Sequence, residues 1–118
     1  MVKLESLKKS NQFRKALKEK KIHTDYFSIF AAKNFFKAKQ EATLMISFVM
    51  KKKIGNAVKR NKIRRKLKAN VQKILKKRGA INKDYTYIVF GKSNAYSQKH
   101  DVLLPLMEKS FGKLKKIK

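Results

Sequence analysis

Three stretches of the chain have the apolar pattern of β-strands. Tyr26–Ala32 is short and rich in aromatic residues, and Asp84–Gly91 combines aromatic with β-branched residues. The third stretch is Glu41–Met50, in which apolar side chains recur at a period of two and share one face. They are Leu44, Ile46, Phe48 and Met50. Tyr26–Ala32 and Glu41–Met50 are expected to pair as an antiparallel hairpin.

The longest helix is predicted from Ala57 to Arg78, because this stretch contains neither Gly nor Pro. Asn56 is the expected N-cap, and Gly79 is the expected residue just beyond the last turn. At roughly 100° per residue, its apolar side chains form one stripe, which is expected to pack on the sheet. The stripe consists of Ile63, Leu67, Val71, Ile74 and Leu75.

Two shorter helices are predicted near the chain ends. In the first, over residues 10–18, Phe13 and Leu17 fall on one face, and Leu4 lies upstream where it would extend that face. The second covers residues 101–111. Because proline fits only about the first turn of a helix, Pro105 leaves the position of the helix start undetermined. Its apolar side consists of Val102, Leu103, Leu106, Met107 and Phe111.

The order α, β, β, α, β, α predicts an α+β sandwich with a small sheet. The last strand follows a helix that itself follows a strand, so these two strands are expected to lie parallel in a β-α-β unit. No stretch rich in Pro, Gly or Ser divides the chain and no repeat is present, so residues 1–118 are expected to form a single domain.

Composition adds a strong positive charge to this architecture. The chain has 33 Lys and Arg against 7 Asp and Glu, which gives a formal net charge of +26. Such an excess causes self-repulsion in the compact state, and a polyanion would relieve it. Nucleic acid is the favoured partner, because each phosphate contact releases condensed counterions. An anionic membrane surface and a merely soluble basic protein are the alternatives, and charge alone does not separate DNA from RNA.

Composition also excludes several kinds of site. The chain has no cysteine, which rules out disulfides, Cys-based zinc sites, iron–sulfur clusters and thiol nucleophiles. The longest apolar-rich stretch, Ala42–Met50, is far shorter than the ~18–20 residues of a membrane span. No apolar signal-peptide segment is visible at the start. A cytoplasmic protein without a membrane partner is therefore expected.

Catalysis by the polypeptide alone is not expected. His23 and Asp25 are the only close acid–histidine pair, and two residues apart in a loop they fit an incidental surface pair better than a general base and its orienter. The other carboxylates are too scattered to hold the metal pair of a two-metal nuclease. No phosphate-binding Walker loop or dinucleotide fingerprint is present.

The predicted long helix has an unusual charge pattern. No Asp or Glu occurs from Lys51 to Asn82. A helix selected only for solubility would interleave Glu with Lys, so we favour a polyanion-binding face over a solvated one. One arc holds Arg60, Asn61, Arg64, Arg65 and Lys68, and much of the remainder is covered by Lys59, Lys62, Lys66 and Lys73.

The start of this helix suits phosphate. Residues 51–53 are lysines that lead into Gly55 and Asn56, where free N–H groups and the positive end of the helix dipole converge. Nearby aromatic residues could stack unpaired bases at ~1–3 kcal/mol each, although about half of them are expected to be core. They are Phe13, Tyr26, Phe27, Phe30, Tyr85 and Tyr87.

Residues 52–65 resemble the bacterial ribonuclease P protein subunit, whose hallmark is a basic helix of the form Gly-x-Ala-Val-x-Arg-Asn-x-x-(Lys/Arg)-Arg. Gly55 to Arg65 match this pattern, and Leu7 and Phe13 match the family's opening helix more weakly. The resemblance implies an α-β-β-β-α-β-α order with a left-handed crossover through the basic helix. It therefore requires a third strand before that helix, expected from a different division of residues 26–50.

The resemblance also implies a function. The family protein binds ribonuclease P RNA, and a cleft between its sheet and first helix holds the 5′ leader of precursor tRNA. The RNA and the protein together cleave the leader from the tRNA by hydrolysis. The RNA performs the chemistry with Mg²⁺, which is held mainly by the RNA and the substrate. No stable protein partner is expected. A ribosomal protein-like or RNA-chaperone module is the alternative, and a membrane-active basic protein would require the apolar stripe to be exposed.

Carried over by position, the residues expected to contact the catalytic RNA are Arg60, Asn61, Lys62 and Arg65, and those expected near phosphates at the helix entrance are Lys51, Lys52, Lys53 and Asn56. Gly55, Arg64 and Lys68 complete the predicted RNA-binding set. The predicted leader cleft is lined by Phe13, Leu17 and Phe30. Two positions depart from the family: Leu17 replaces a frequent aromatic, and Lys51 replaces a frequent Ser.

Overall fold

The computed structural model describes residues 3–5, 20–33, 43–76, 81 and 85–114. The described strands are β1 (Lys3–Glu5), β2 (Lys20–His23), β3 (Phe27–Lys33), β4 (Thr43–Met50) and β5 (Tyr85–Gly91), and the described α-helices are α1 (Ala57–Leu75) and α2 (His100–Leu114). Short 3₁₀ helices, Lys52–Ile54 and Ser93–Tyr96, precede α1 and α2. The fold class is α+β, as predicted. The predicted helix over residues 10–18 and the predicted stop at Gly79 lie outside the described residues.

The strands form one mixed sheet in the order β1-β4-β5-β3-β2. Its middle strand, β5, is parallel to β4, with Phe48 opposite Val89, and antiparallel to β3, with Phe30 opposite Ile88. The predicted parallel pairing of the strands on either side of the long helix is therefore confirmed. The left-handed sense of that crossover stays a prediction.

The predicted antiparallel hairpin between Tyr26–Ala32 and Glu41–Met50 is wrong. β5 lies between β3 and β4, and its residues 85–89 are buried on both faces, which suits a central strand. The hairpin that does form joins β2 to β3, through a turn in which the Thr24 hydroxyl accepts hydrogen bonds from the N–H groups of Tyr26 (3.2 Å) and Phe27 (3.0 Å).

The extra strand required before α1 is thus β2, and it does not come from dividing residues 26–50 differently. Its sequence, Lys-Lys-Ile-His, is largely exposed and has no apolar alternation, so periodicity does not reveal it. Leu4 was expected to extend the apolar face of the first helix. It lies instead in β1, opposite Leu44 of β4. A strand of three residues is too short to show a period.

The main core lies between the sheet and the two helices. The predicted stripe of α1 is buried at Ile63, Leu67, Val71 and Ile74, and Leu75 is half-buried at its end. It meets the predicted face of β4, of which Leu44, Ile46 and Met50 are buried and Phe48 packs against them half-buried. Gly91 lets β5 approach α1 closely, because a Cβ there would lie 2.8 Å from Cγ2 of Ile63. The sheet therefore fixes both the position and the rotation of α1.

Helix α2 covers the rest of this face, with Leu103, Met107 and Phe111 fully buried. Phe111 packs edge-to-face on Tyr87 of β5, at 5.1 Å between ring centroids. One expectation for this helix is wrong, because Val102 is 43% exposed and lies outside the apolar side. The start that Pro105 left open is at His100, which places Pro105 beyond the first turn. The loss of one N–H donor is tolerated on this exposed side of the helix.

Candidate nucleic-acid interface

The entrance to α1 presents three consecutive lysines to solvent. Residues 51–53 are exposed, whereas Ile54 is buried and anchors the 3₁₀ helix to the core. Gly55 follows at a φ of 151°, a conformation that L side chains rarely adopt, and a Cβ there would lie 2.9 Å from Cδ of Lys59. Glycine is therefore needed to turn the chain from the lysines into the helix.

Asn56 caps α1 as predicted. Its side-chain oxygen accepts a hydrogen bond from the backbone N–H of Lys59 at 2.9 Å, and its carbonyl accepts from the N–H of Arg60 at 3.1 Å. No acidic residue occupies the first turn, so the positive end of the helix dipole stays uncompensated there. This end of α1 favours an anion.

One side of α1 carries the arginine flank, which we define as Arg60, Asn61, Arg64, Arg65 and Lys68. Arg60 and Arg64 are half-buried, and the other members are exposed. The amide oxygen of Asn61 accepts a hydrogen bond from Nη1 of Arg64 at 2.6 Å. An asparagine is unfavourable inside a helix by propensity, and here it orients a guanidinium. These predicted residues share one side of α1, which begins shortly after the entrance lysines.

The other side of α1 differs from the sequence prediction. Lys66, expected at the surface, is only 9% exposed. Its ammonium donates hydrogen bonds to the carbonyl oxygens of Ala95 (3.3 Å), Tyr96 (2.5 Å) and Gln98 (2.7 Å). Burial lowers the pKa of this ammonium from its ordinary value of 10.5, and the charge of Lys62 lowers it further. Only these loop carbonyls make the buried position tolerable, and a sequence pattern gives no sign of them.

The second face of the sheet carries aromatic rings near the entrance lysines. Phe30 and Phe90, on neighbouring strands, pack edge-to-face at 5.4 Å between centroids, and His23 packs edge-on against Phe30 at 5.8 Å. The ammonium of Lys51 lies over the ring of Phe90 at 5.9 Å from its centroid. Phe30, which was predicted to line the leader cleft, lies on this face, whereas Phe13 and Leu17 lie outside the described residues. Phe90, which the sequence analysis did not single out, lies beside it.

Beneath these rings the second face has a small core of its own. Ala32, Met45 and Ile88 are buried, and Phe30, Val49 and Phe90 pack against them partly exposed. The Nδ1 atom of His23 lies 2.6 Å from the hydroxyl of Ser28, and this bond, not one to Asp25, fixes the imidazole. Of the predicted aromatic candidates, Phe27, Tyr85 and Tyr87 are buried in the main core, and Tyr26 and Phe30 are half-buried.

A cavity of about 460 Å³ lies where β5 ends, beside the entrance lysines. Lys51, Lys53 and Lys92 line it, together with Asp25 and Asn94. The ammonium of Lys92 donates to the carbonyl of Thr24 at 2.6 Å, and the amide of Asn94 donates to the carbonyl of Asp25 at 3.1 Å. Lys51 belongs both to this cavity and to the aromatic face, so the two adjoin at this residue.

The described residues contain neither a metal-binding cluster nor a membrane-spanning helix. No group of three or more His, Asp or Glu in the described ranges could hold a metal ion. No helix among them is long and apolar enough to cross a membrane. The burial of the α1 stripe also removes the apolar surface that a membrane-active helix would need.

The fold and this surface define a small, strongly basic α+β protein in which a cationic helix connects two parallel strands. The profile of the family described as Ribonuclease P matches residues 1–115. The chain therefore belongs to the ribonuclease P protein family. Membership makes it a protein component of an endoribonuclease of tRNA processing and implies an RNA partner.

Solved structures agree with this assignment. The RNase P protein of Staphylococcus aureus is 25% identical, with a TM-score of 0.70 over 95% of each chain. The RNase P protein of Thermotoga maritima is 20% identical, with a TM-score of 0.65 over 92% of this chain and 96% of that one, and it supports the fold alone. A search of curated protein sequences returned no match.

Proposed function

We propose that this chain is the subunit that binds ribonuclease P RNA and the 5′ leader of precursor tRNA, so that the ribonucleoprotein removes the leader and leaves a mature 5′ end. The observation that carries the proposal is the position of Lys51. Its ammonium lies over Phe90 on the aromatic face, while its neighbours Lys52 and Lys53 lead into α1. A single strand on the aromatic face would therefore pass directly beside RNA bound at the helix.

The arginine flank and the entrance lysines are the proposed contact with the catalytic RNA. Arginine forks match phosphate oxygens in pairs, and Asn61 already orients one of them through its 2.6 Å hydrogen bond to Arg64. The uncompensated N-terminus of α1 adds backbone donors for a further phosphate. These groups bind and orient RNA, and none of them is placed to act as a general base.

The aromatic face is the proposed leader site. Phe30 and Phe90 offer partly exposed rings to unpaired bases, and Lys51, Lys53 and Lys92 supply charge for the following phosphates. Phe13 and Leu17 stay predicted members of this site.

Hydrolysis is assigned to the RNA with Mg²⁺, which would activate water and stabilise the leaving oxygen. The side chains of the described residues do not form a site that fits Mg²⁺. The ion is therefore proposed to be held by RNA and substrate, and the protein's part is to position both. We also propose that the protein acts in the cytoplasm.

Reconstitution with candidate ribonuclease P RNA at near-physiological salt tests the function. Precursor tRNA labelled at its 5′ end should lose its leader only when RNA and protein are both present. Arg60→Ala combined with Arg65→Ala should reduce that processing, and adding excess protein should restore it in part. Cleavage by the protein alone would contradict the proposal, as would binding to ribosomal RNA fragments with no gain in processing, which is the result expected of a general RNA chaperone.

A further inference from the structure

The segment that joins β5 to α2 is fastened on one side to the turn between β2 and β3. We call it the β5–α2 connection, residues 92–99. The backbone N–H of Lys92 donates a hydrogen bond to the carbonyl of Tyr26 at 3.0 Å, and its ammonium donates to the carbonyl of Thr24 at 2.6 Å. The start of the connection therefore moves with this turn.

On its other side the connection is held by a buried lysine of α1. The ammonium of Lys66 donates to the carbonyls of Ala95 (3.3 Å), Tyr96 (2.5 Å) and Gln98 (2.7 Å). An ammonium has three N–H donors, so these three carbonyls satisfy all of them. Hydrogen bonds from an ionised donor are stronger than those between neutral groups. Lys66 thus fastens three of four consecutive carbonyls to the helix.

The other contacts between the connection and α1 constrain it less. Ala95 is buried in the core, but its side chain is a single methyl group. Lys59 donates to the hydroxyl of Ser93 at 3.2 Å, and this bond is exposed, so water competes for both groups. The position of the connection against α1 therefore depends chiefly on Lys66.

The same connection forms part of the cavity at the end of β5. Lys92 and Asn94 line this cavity together with Lys51 and Lys53, which belong to the entrance of α1. Asp25 of the β2–β3 turn lines it as well, and its carbonyl accepts from the amide of Asn94 at 3.1 Å. A shift of the connection relative to α1 would change the spacing of the cationic groups around the cavity.

We propose that Lys66 is a positioning residue of the leader site. Only 9% of it is exposed, so it is too deeply placed to bind a polyanion itself. Its bonds hold the connection against α1 and thereby set the distance of the Lys92 ammonium from those of Lys51 and Lys53. This inference rests on the proposed function, because the leader is the ligand whose successive phosphates those three groups would receive.

The absence of cysteine allows the Lys66 ammonium to be tested as a single group. Lys66→Cys, alkylated in denaturant and refolded, carries either an aminoethyl thioether, which restores the ammonium, or a propyl thioether, which has the same length and no charge. The matched control is Lys73→Cys with the same two modifications, since Lys73 is exposed about two turns further along α1. Lys66→Gln, which keeps N–H donors on a shorter side chain, replaces the propyl form if that form does not refold.

Binding of tRNA to the assembled ribonucleoprotein separates positioning from stability. The aminoethyl form should prefer precursor over mature tRNA as the wild type does. The propyl form should lose at least about threefold of that preference at unchanged affinity for mature tRNA, because a misplacement of about 1 Å can cost up to about a hundredfold. The two forms of residue 73 should behave alike.

Equal preferences for the two modified forms of residue 66 would overturn the inference. An equal loss of affinity for precursor and mature tRNA would also overturn it, because Lys66 would then act only through the stability of the whole chain.

Hydrogen exchange in the free chain tests the positioning without RNA. The N–H groups of Lys92 and Ala95 are both hydrogen-bonded, and their exchange should be faster in the propyl form than in the aminoethyl form. The increase should exceed any increase in the middle of β5, which reports global unfolding. Equal rates at residues 92 and 95 would overturn the inference. A wild-type chain that binds no ribonuclease P RNA would overturn the proposed function, and the exchange rates would still show whether Lys66 holds the connection.

Discussion

Ile63 and Val58 are both apolar residues of α1, and they differ in the side of the helix on which they lie. Ile63 is fully buried against β4 and β5, whereas Val58 is 75% exposed among lysines. Their hydrophobicity therefore has different consequences, because only the burial of Ile63 removes apolar surface from water. The sequence separates the two residues correctly, since Val58 falls outside the 3.6-residue stripe.

Ile63→Ala should lower the free energy of unfolding by ~2–5 kcal/mol, because it leaves a cavity between α1 and Gly91. Val58→Ala is the matched control on the same helix and should change stability by less than about 0.5 kcal/mol. Urea denaturation of both variants measures the difference. Similar losses for the two would mean that the stripe of α1 does not face the sheet.

Lys66 should give the protein a pH-dependent contribution to stability. Its pKa is lower in the folded chain than the ordinary 10.5, so between the two values the unfolded chain binds more protons. Stability therefore rises with pH through this window. Urea denaturation of wild type and Lys66→Met over a pH series up to 10.5 isolates the effect, since the other lysines titrate in both. The stability of the wild type minus that of Lys66→Met should increase as the pH rises, and a decrease would contradict the prediction.

At the scale of elements, long and regular segments were predictable and short ones were not. α1 begins after Asn56, and β5 begins one residue after the predicted Asp84, because a cap, an apolar stripe and a run of β-branched residues mark them locally. β1 and β2 carry no such marks, since three or four residues of a mostly exposed edge cannot show a period. The charge pattern of α1 predicted the arginine flank, but not the burial of Lys66, which depends on carbonyls 29 to 32 residues away.

Arg65→Ala should weaken RNA binding and lower the salt slope by about one, because Arg65 is exposed on the arginine flank. Lys113→Ala on α2 removes the same charge and should leave the slope nearly unchanged. Titration of labelled ribonuclease P RNA at several salt concentrations gives both slopes. An unaltered slope for Arg65→Ala would mean that this flank faces away from the RNA.

At the scale of the whole molecule, the proposed leader site joins residues that the chain separates widely. Phe30, Lys51 and Phe90 meet only because β5 lies between β3 and β4. The sequence identifies Phe30 and Lys51 as candidates, and the resemblance supports them. Phe90 was missed because its orientation follows from the strand order, and a wrong hairpin gives the wrong neighbours.

Phe30→Ala and Phe90→Ala should each weaken binding of precursor tRNA to the assembled ribonucleoprotein by about fivefold or more, since each removes a stacking ring worth ~1–3 kcal/mol when fully used and about 1.4 kcal/mol is tenfold in affinity. Binding of mature tRNA, which has no leader, is the internal control and should be unchanged. Affinities for the two ligands with each variant provide the measurement. An equal loss for both ligands would argue against a leader site on this face.

The central place of β5 constrains how the molecule can be made. A ribosome releases β3 and β4 long before the strand that bonds to both of them, and until then each of them lacks one of its two native neighbours. A nascent chain that stops before Tyr85 would expose open strand edges beside a repelling cationic helix, and such edges invite aggregation. We expect this protein to acquire its structure only after synthesis of β5, so that no shorter N-terminal piece survives as an independent RNA binder.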